Sequence, residues 1–356
     1  KLNYLFMTIN LIIGTYSYKL PHSKDCGKGL HLANYSFKKN EIRTLKIINE
    51  IKNPSYFQFS NEHSKLYIVQ EMEDYNHSKI FIIDVDKSTN EYKIISHLPT
   101  YGELPCHLSI DKHQRMAFVS NYNGGQLSVY PLDKNGNFEK FPIVFQHQGS
   151  SVHNIRQTKP HVHCSIVDPD NKKLLVADLG LDKIVVYKIN HVRQSCNLDT
   201  TFKLKDGSGP RHIKYLNKKK FLIINELNSS INFCYFDKNE IKIINSVSTT
   251  RSQIDKDNFA STVVIHKNEK FLYASNRGHN TITLFYINER LIYVKSFHCN
   301  GETPRDIVLD PTGNYLFVAN QDSNTIDIFI IDNRSGFLHH KFTYSDIKSP
   351  TCIKFI

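Results

Sequence analysis

The chain has 356 residues, of which 40 % are hydrophobic and 12 % aromatic, enough apolar material for a sizeable buried core. Its formal net charge is +11, yet the lysines are scattered over predicted turns instead of clustering with aromatic residues along one stripe, so nucleic-acid binding is not predicted. No window reaches the roughly 18 apolar residues that a membrane-spanning helix requires, so no membrane insertion is predicted either.

Residues 1–9 are predicted to form an extension ahead of the folded domain. They resemble a signal peptide in having Lys1 before an apolar run, but Asn3 and Thr8 interrupt that run and no small-residue cleavage site follows. Met7 is therefore interpreted as the natural start. The next segment, 10-NLIIGTYSY-18, has the apolar pattern of a strand.

From Pro54 onward the chain repeats one unit with a period near 50 residues. Each copy starts at Pro or a small residue, continues as an apolar strand, turns through polar residues and returns as a second strand that ends in Asn, Asp or Glu. A third strand closes the copy. The predicted anchors are Pro54, Pro105, Pro160, Pro210, Ala260, Pro304 and Pro350. A period of this size, with three or four short strands per unit, predicts an all-β fold, a β-propeller of seven blades.

The last copy, 349-SPTCIKFI-356, contains only a first strand. The patterns of the other three strands occur near the N-terminus, in 10–18, 31-HLANYSF-37 and 42-IRTLKII-48. We therefore predict a seventh blade built from both chain ends and a single propeller domain over residues 10–356. Closure of this kind protects sheet edges that would otherwise pair with other chains.

Charged and polar residues occupy two positions of the repeat. The residues after the anchors are His107, His161 with His163, Arg211 with His212, and Arg305. The residues at the ends of the second strands are Asn121, Asp178, Glu226, Asn276 with Arg277, and Asn320. In a propeller both positions lie at the ends of inner strands, so these groups should converge. Converging charges are costly at low dielectric unless they are paired or used, which predicts a functional site.

Each of these residues also has a structural interpretation. The strand-ending Asn and Asp side chains can satisfy turn backbones. Arg211 and Glu226 can form an ion pair, and His107 can be a hydrogen-bonded core residue. His161 and His163 are harder to explain in this way, because residues two apart in a strand share one face.

A metal site is a further alternative. His161 and His163 with Asp178 or Glu226 would supply three ligands. The neighbouring arginines would repel a cation, however, so an anion site is favoured and no metal is predicted.

Six motifs in order carry a family resemblance: P-H-x-H (160–163), D-L-G (178–180), G-P-R-H (209–212), E-L (226–227), S-N-R-G-H (275–279) and P-R-D (304–306). Together they resemble the bacterial 6-phosphogluconolactonases of the seven-bladed propeller lactonase family, whose relatives include fungal carboxy-cis,cis-muconate cyclases. The resemblance runs from Asn10 to the C-terminus and is loosest over 251-RSQIDKDNFAS-261.

The resemblance implies hydrolysis of 6-phospho-D-glucono-1,5-lactone to 6-phosphogluconate, in the pentose phosphate pathway, without a metal or other cofactor. By similarity, the catalytic residues are His163, Arg211, Glu226 and Arg277. The substrate-binding residues implied are His161, Asp178, His212, Arg305 and Asn320. The partner is then a small anionic sugar-phosphate lactone. The alternatives are a lactonising cyclase or lyase with the same site, and a propeller that only binds.

The implied chemistry suits these residue types. A histidine can take the proton of the attacking water. Arg211 would stabilise the oxyanion, and Arg277 or Arg305 would hold the phosphate by bidentate hydrogen bonds. Glu226 would orient an arginine or replace the histidine as base, so His161, His163 and Glu226 all remain candidates for that role. No G-x-S-x-G motif is present, so a covalent intermediate is not predicted.

The seven cysteines form an odd count without a C-x-x-C pair, and most lie in predicted strands, where cysteine behaves as a small apolar residue. This usage predicts a reducing compartment and a cytoplasmic protein. No long exposed apolar run calls for a partner chain, so a monomer is predicted, with a dimer as the alternative.

Overall fold

The computed structural model describes residues 8–86, 91–237, 240–251 and 257–356. All regular elements in these ranges are β-strands, and they form seven four-stranded antiparallel sheets. The protein is a seven-bladed β-propeller, as its repeat predicts. These ranges contain no helix with the length and hydropathy needed to cross a membrane.

The chain divides into two compact units. The terminal unit comprises Lys1–Ser55 and Thr249–Ile356, and the middle unit comprises Tyr56–Ser248. The predicted boundaries of a single domain over 10–356 therefore stay a prediction.

The middle unit has four sheets, each made of four strands that are consecutive in the chain. Its strands are β4 (Tyr56–Phe59), β5 (Lys65–Gln70), β6 (Lys79–Asp86), β7 (Glu91–Pro99), β8 (Pro105–Ile110), β9 (Met116–Asn121), β10 (Gln126–Pro131), β11 (Ile143–Gln146), β12 (Val162–Val167), β13 (Lys173–Asp178), β14 (Lys183–Asn190), β15 (Ser195–Lys203), β16 (Pro210–Tyr215), β17 (Lys220–Asn225), β18 (Ser230–Asp237) and β19 (Glu240–Ser248).

The terminal unit has three sheets, with strand orders β28-β1-β2-β3, β20-β21-β22-β23 and β24-β25-β26-β27. Its strands are β1 (Thr8–Thr15), β2 (Leu30–Ser36), β3 (Glu41–Ile48), β20 (Phe259–Ile265), β21 (Phe271–Arg277), β22 (Thr281–Ile287), β23 (Leu291–His298), β24 (Pro304–Leu309), β25 (Tyr315–Asn320), β26 (Thr325–Ile331), β27 (Leu338–Tyr344) and β28 (Pro350–Phe355).

The composition of each strand follows its place in the sheet. Second strands such as β13 (KLLVAD) and β17 (KFLIIN) are buried along nearly their whole length. In β13, Leu174 and Leu175 belong to two different apolar clusters, because successive residues of a strand face opposite sides of the sheet. Fourth strands such as β19 (EIKIINSVS) consist mostly of exposed and partly buried residues. In the middle unit, Leu175 and Val186 of one sheet pack with Phe221 of the next in a continuous apolar cluster.

The seventh blade is built from both chain ends, as predicted. β28 pairs with β1 in antiparallel register, with Ile353 opposite Ile13. β1 starts at Thr8, so the last two residues of the predicted 1–9 extension belong to this strand. The predicted start at Met7 lies outside the described residues, as does the central part, 252–256, of the segment where the family resemblance is loosest.

A β-bulge recurs where the first strand of a blade pairs with the second. In the sheet of β16 and β17, Pro210 lies opposite Asn225 and His212 lies opposite Ile224, so Arg211 is the extra residue of the bulge. The corresponding extra residues of three other first strands are Cys106, His163 and Arg305. A bulge re-aims the side chain of the extra residue. We call this place the bulge position.

The register corrects two of the predicted equivalences. Val162, and not Pro160, lies opposite the strand-ending Asp178, so the true anchor of that copy is two residues later than predicted. His163 is therefore the counterpart of Arg211. Likewise Asn225 ends its strand, and Glu226 is the residue that follows. Proline marks the approach to a first strand, whereas backbone pairing decides where that strand begins.

Replacement of Ile353 tests the contribution of the last strand. Ile353 is fully buried in the cluster that includes Leu11, Tyr35 and Phe317. We expect Ile353→Ala to lower the free energy of unfolding by about 2–5 kcal/mol, the usual cost of truncating a buried isoleucine. Ile356→Ala is the matched control, because Ile356 is 39 % exposed at the end of the same segment. Equal denaturation midpoints for the two variants would contradict this account.

Acid stability should depend on His31 in β2. Its Nδ1 lies 3.2 Å from Thr44 Oγ1. Burial, with a smaller contribution from Lys28, lowers the pKa of His31 to about 4. The unfolded chain takes up a proton near pH 6.5 but the folded chain does not, so this group destabilises the fold progressively as the pH falls from 6.5 towards 4.

We therefore expect His31→Gln to become more stable relative to wild type between pH 7 and pH 4, by up to roughly 3 kcal/mol. Urea titrations at several pH values measure this difference. The exposed His298→Gln serves as control and should show no such trend. A difference between His31→Gln and wild type that does not change with pH would refute the assignment.

Candidate functional site

The second strands β9, β13, β17 and β25 end in a buried Asn or Asp, whose side chain forms hydrogen bonds within its own sheet. Asn121 donates to Ser128 Oγ at 3.0 Å, and Asn320 donates to Asp327 Oδ2 at 2.6 Å. Asp178 accepts from the backbone N–H of His161 at 2.9 Å and contacts His147 Nδ1 at 2.7 Å. No part of Asp178 or Asn320 is exposed. These contacts favour the structural alternative for both residues over the predicted substrate binding.

The residue that follows each of these strand ends has a different character. We call it the strand-exit position. It is occupied by Tyr122, Leu179, Glu226 and Gln321 after β9, β13, β17 and β25, and by Arg277 at the end of β21. In the sheets of β8, β12, β16 and β24 the strand-exit position lies next to the bulge position, because Asn or Asp at the strand end pairs with the residue before the bulge.

In the middle unit, this pairing places Arg211 against Glu226. Arg211 Nε lies 3.1 Å from Glu226 Oε2, and the two side chains are 4 % and 3 % exposed. The other carboxylate oxygen, Oε1, accepts a 2.6 Å hydrogen bond from Arg156 Nη2. One buried carboxylate therefore faces two guanidinium groups. The ion pair considered as a structural alternative is present, together with a second arginine that the sequence analysis did not predict.

Arg156 lies in the connection between β11 and β12. His147 at the start of this loop contacts Asp178, Ser151 Oγ donates to Asp182 Oδ2 at 2.6 Å, and Gln157 Nε2 donates to the Leu179 carbonyl at 2.8 Å. These bonds fix both ends of the loop, so Arg156 is held over Glu226. The available sequence signal was the 55-residue gap between Pro105 and Pro160, the longest between predicted anchors.

Six aromatic or imidazole rings of the middle unit form a continuous row beside these charges, which we call the ring row. Successive centroids lie 4.4 Å (Tyr56–His107), 5.7 Å (His107–His212), 5.4 Å (His212–His163), 5.6 Å (His163–Tyr122) and 4.4 Å (Tyr122–His161) apart. The predicted residues His161, His163 and His212 are therefore brought together. Tyr122 links two of them and was not predicted as a site residue.

His161 has a defined tautomer. Its Nδ1 lies 3.0 Å from the Tyr122 carbonyl oxygen, which only accepts, so Nδ1 carries the proton and Nε2 has the lone pair. Its ring stacks on Tyr122 at an interplanar angle of 20°. Burial lowers the pKa of His161, although the Tyr122 carbonyl and Asp178 oppose the shift. The imidazole is therefore neutral at neutral pH.

Tyr122 and Arg156 have opposite effects on each other's pKa: Tyr122 raises that of Arg156, whereas Arg156 lowers that of Tyr122 against the larger effect of burial. Arg156 Nη2 donates to the Tyr122 hydroxyl oxygen at 3.0 Å. Burial raises the pKa of Tyr122, so the phenol keeps its proton. For Arg156, burial alone would lower the pKa, but the charge of Glu226 and the contact with Tyr122 raise it overall. The result is a phenol that accepts from a cation while retaining its own O–H.

Arg211 also contacts the ring row. Its Nη1 lies 3.1 Å from His212 Nε2, and because a guanidinium group only donates, His212 is the acceptor. Arg211 therefore joins the carboxylate of Glu226 to the ring of His212. Its burial leaves little surface for a ligand, which favours a positioning role within this cluster.

The remaining predicted residues lie in the terminal unit. Arg305 occupies a bulge position. Its Nη1 donates to Gln321 Oε1 at 3.3 Å, and its Cζ lies 5.0 Å from the centre of the Tyr16 ring. Arg277 ends β21 opposite Phe259 and is partly buried. With Asn320 in the same unit, the predicted set thus divides between the two units.

Comparison with known proteins assigns the family. The family model described as lactonase, 7-bladed beta-propeller, matches residues 10–355. The chain belongs to this propeller lactonase family. The match confirms the resemblance inferred from the six motifs.

Individual relatives agree with this assignment. The chain is 26 % identical over 350 residues to a 6-phosphogluconolactonase of Bacillus subtilis, with 97 % of each chain covered. It is 32 % identical over 312 residues to a 6-phosphogluconolactonase of Formosa agariphila, covering 85 % of this chain and 87 % of the other. A crystal structure of a candidate 6-phosphogluconolactonase from Bacteroides fragilis is similar with a TM-score of 0.88, at 27 % identity and 98 % coverage of both chains.

Neutralising Glu226 tests the charge balance of this lactonase-family site. Glu226→Gln leaves Arg211 and Arg156 without their shared anion, and we expect the free energy of unfolding to fall by about 3 kcal/mol. Glu240→Gln is the control, because Glu240 is exposed and pairs with Lys242. That variant should unfold like wild type. Equal stability of both variants would show that the buried carboxylate is not needed to hold the arginines.

Proposed function

We propose that the protein hydrolyses 6-phospho-D-glucono-1,5-lactone to 6-phosphogluconate, as a step of the oxidative pentose phosphate pathway. Family membership and the names of the Bacillus subtilis and Formosa agariphila relatives support lactone hydrolysis. The observation that carries the proposal is a neutral imidazole, His161, stacked on a phenol that accepts a hydrogen bond from Arg156. This combination suits attack of water on a carbonyl group.

In this proposal His161 is the general base. Its Nε2 has the lone pair, and its lowered pKa keeps it neutral at the pH of the cell. The oxygen of water forms a bond to C1 of the lactone while its proton moves to Nε2. The bond between C1 and the ring oxygen then breaks, and the ring oxygen takes the proton back from His161 to become a hydroxyl group. The carboxylic acid formed at C1 then loses its remaining proton to solvent, which gives the open-chain carboxylate.

The Tyr122 hydroxyl is the proposed donor to the developing oxyanion. It accepts from Arg156, which polarises it, and its own O–H remains to donate to the carbonyl oxygen. A donor placed where negative charge develops typically contributes 10²–10³ in rate. Arg156, whose side chain is 32 % exposed, adds positive charge on the side open to solvent.

Glu226 and Arg211 are assigned positioning roles. A carboxylate that faces two guanidinium groups is a poor proton acceptor, because protonation would weaken both ion pairs. Arg211 fixes Glu226, which in turn orients Arg156 towards Tyr122. His163 stays the alternative base, and Arg277 or Arg305 stays the predicted phosphate ligand, because a guanidinium group can form bidentate hydrogen bonds with phosphate. No metal ion takes part in this scheme.

We also propose that the protein acts as a monomer in the cytoplasm. All seven cysteines are free and six of them are buried, which suits a reducing compartment. Burial raises the pKa of the Cys164 thiol to about 12, so this cysteine behaves as a core residue and not as a nucleophile.

The test is the disappearance of freshly prepared 6-phosphogluconolactone, corrected for spontaneous hydrolysis. Purified wild-type protein should accelerate the reaction, and His161→Gln should lower kcat by about 10²–10⁴, the usual contribution of a general base. Burial lowers the pKa of His161 below 6.5, the ordinary value for histidine. As the pH falls, wild-type kcat/KM should therefore stay constant through pH 6.5 and decline only under more acidic conditions, where Nε2 becomes protonated.

His77→Gln is the control, since His77 is exposed and pairs with Asp74. It should retain full activity. If folded wild-type protein gives no acceleration, the lactonase proposal is wrong. If His161→Gln retains both kcat and the acid limb of the pH profile, His161 is not the base and the role passes to His163.

A further inference from the structure

A second group of ligand-type side chains lies at the other end of the same strands of the middle unit. Asp111 follows β8, His113 lies in the turn between β8 and β9, and His191 lies in the turn between β14 and β15. One donor atom from each residue lies within 4.8 Å of the other two. His107 precedes Asp111 by four residues along the chain, so this group is about 13 Å from the ring row.

The Asp111 carboxylate is fixed by backbone hydrogen bonds. Its Oδ1 accepts from the N–H groups of Arg115 and Met116, both at 2.7 Å. Its Oδ2 accepts from the His113 N–H at 3.1 Å and from Asn171 Nδ2 at 3.3 Å. Asp111 is 1 % exposed. The carboxylate is therefore held in one orientation before any ligand arrives.

His191 presents a lone pair to this carboxylate. Its Nε2 lies 2.6 Å from the Asn171 carbonyl oxygen, so Nε2 carries the proton and Nδ1 does not. Nδ1 is buried and has no hydrogen-bond partner among the described residues. A histidine that donates its other N–H to a backbone carbonyl is the usual arrangement of a metal ligand, because that bond selects the tautomer and orients the ring.

The distance between the two donor atoms suits a shared ion. His191 Nδ1 and Asp111 Oδ2 are 3.7 Å apart, which is too far for a hydrogen bond. Two ligands about 2.0–2.2 Å from a zinc ion are separated by roughly 3.5 Å at tetrahedral angles. Two electron-rich atoms at this separation repel each other unless a cation lies between them.

We propose that Asp111, His113 and His191 form a binding site for a divalent transition-metal ion of the zinc type. Two imidazoles with one carboxylate favour zinc, nickel or copper over calcium and magnesium, which prefer oxygen ligands. The rings of His113 and His191 lie 4.7 Å apart, so His113 reaches the same ion from the exposed side. That side leaves a coordination position for water. The nearby Lys112 ammonium is directed to the Pro169 carbonyl.

The bound ion would join two sheets. Asp111 and His113 belong to the hairpin of β8 and β9, whereas His191 belongs to the hairpin of β14 and β15. An ion that binds only the folded chain raises its stability by mass action. The site is thus structural, and its occupancy should not change lactone hydrolysis at the other end of the strands.

The experiment titrates tag-free, chelator-treated and dialysed protein with Zn²⁺ in competition with a chromophoric chelator. We expect one high-affinity equivalent, a rise in the thermal midpoint, and visible absorption of a tetrahedral Co²⁺ complex when Co²⁺ replaces Zn²⁺. His191→Ala and His113→Ala should each weaken Zn²⁺ binding by at least about tenfold and abolish the Co²⁺ spectrum.

His77→Ala is the matched control, because His77 also contacts an aspartate, Asp74, but on an exposed surface. It should bind Zn²⁺ and Co²⁺ like wild type. Equal binding by wild type and His191→Ala, or less than one equivalent in wild type, would overturn the proposal. Circular dichroism of each variant without metal separates loss of the site from loss of the fold.

Discussion

Pairing between the first and second strands of each blade is the constraint on which the described sites depend. The second strands β9, β13, β17 and β25 end in a buried Asn or Asp whose side chain is held by hydrogen bonds within its sheet, as at Asn121 and Asp178. In these four sheets the first strand has a bulge next to that end. Backbone hydrogen bonding therefore brings one bulge position and one strand-exit position together in each of the four sheets, whatever residues occupy them.

Electrostatics then determines which of these places can carry chemistry. Glu226 and Arg211 are both almost completely buried, and neither would be stable there alone. Arg156 joins this group from the loop between β11 and β12 and pairs with Glu226. It also donates a hydrogen bond to the Tyr122 hydroxyl oxygen, so the excess positive charge lies next to Tyr122 at the partly exposed side. Burial of His161 keeps its imidazole neutral in the same place. The buried ion pairs thus support the arrangement, while in the proposed function the less buried groups would face the substrate.

The same strands carry groups of different character at their two ends. At one end, the ring row and the arginines suit an anionic substrate. At the other end, hairpin turns place Asp111, His113 and His191 together around a lone pair that faces a carboxylate. Because each strand is only about six residues long, the ring row and the group around Asp111 are close to each other. The sheet lies between them, so each can bind a different ligand.

The repeat alone was sufficient to predict seven blades and the joint blade of the two chain ends, because alternating apolar residues and regular turns are local properties of a sequence. It was also sufficient to select His161, His163, Arg211 and Glu226, since charged residues at inner strand ends are unusual. The repeat did not predict the bulges or the equivalence of His163 and Arg211. It also did not predict that Arg156 lies over Glu226. These features arise from backbone register and from a loop fixed by hydrogen bonds between residues far apart in the chain, and only the folded structure decides them.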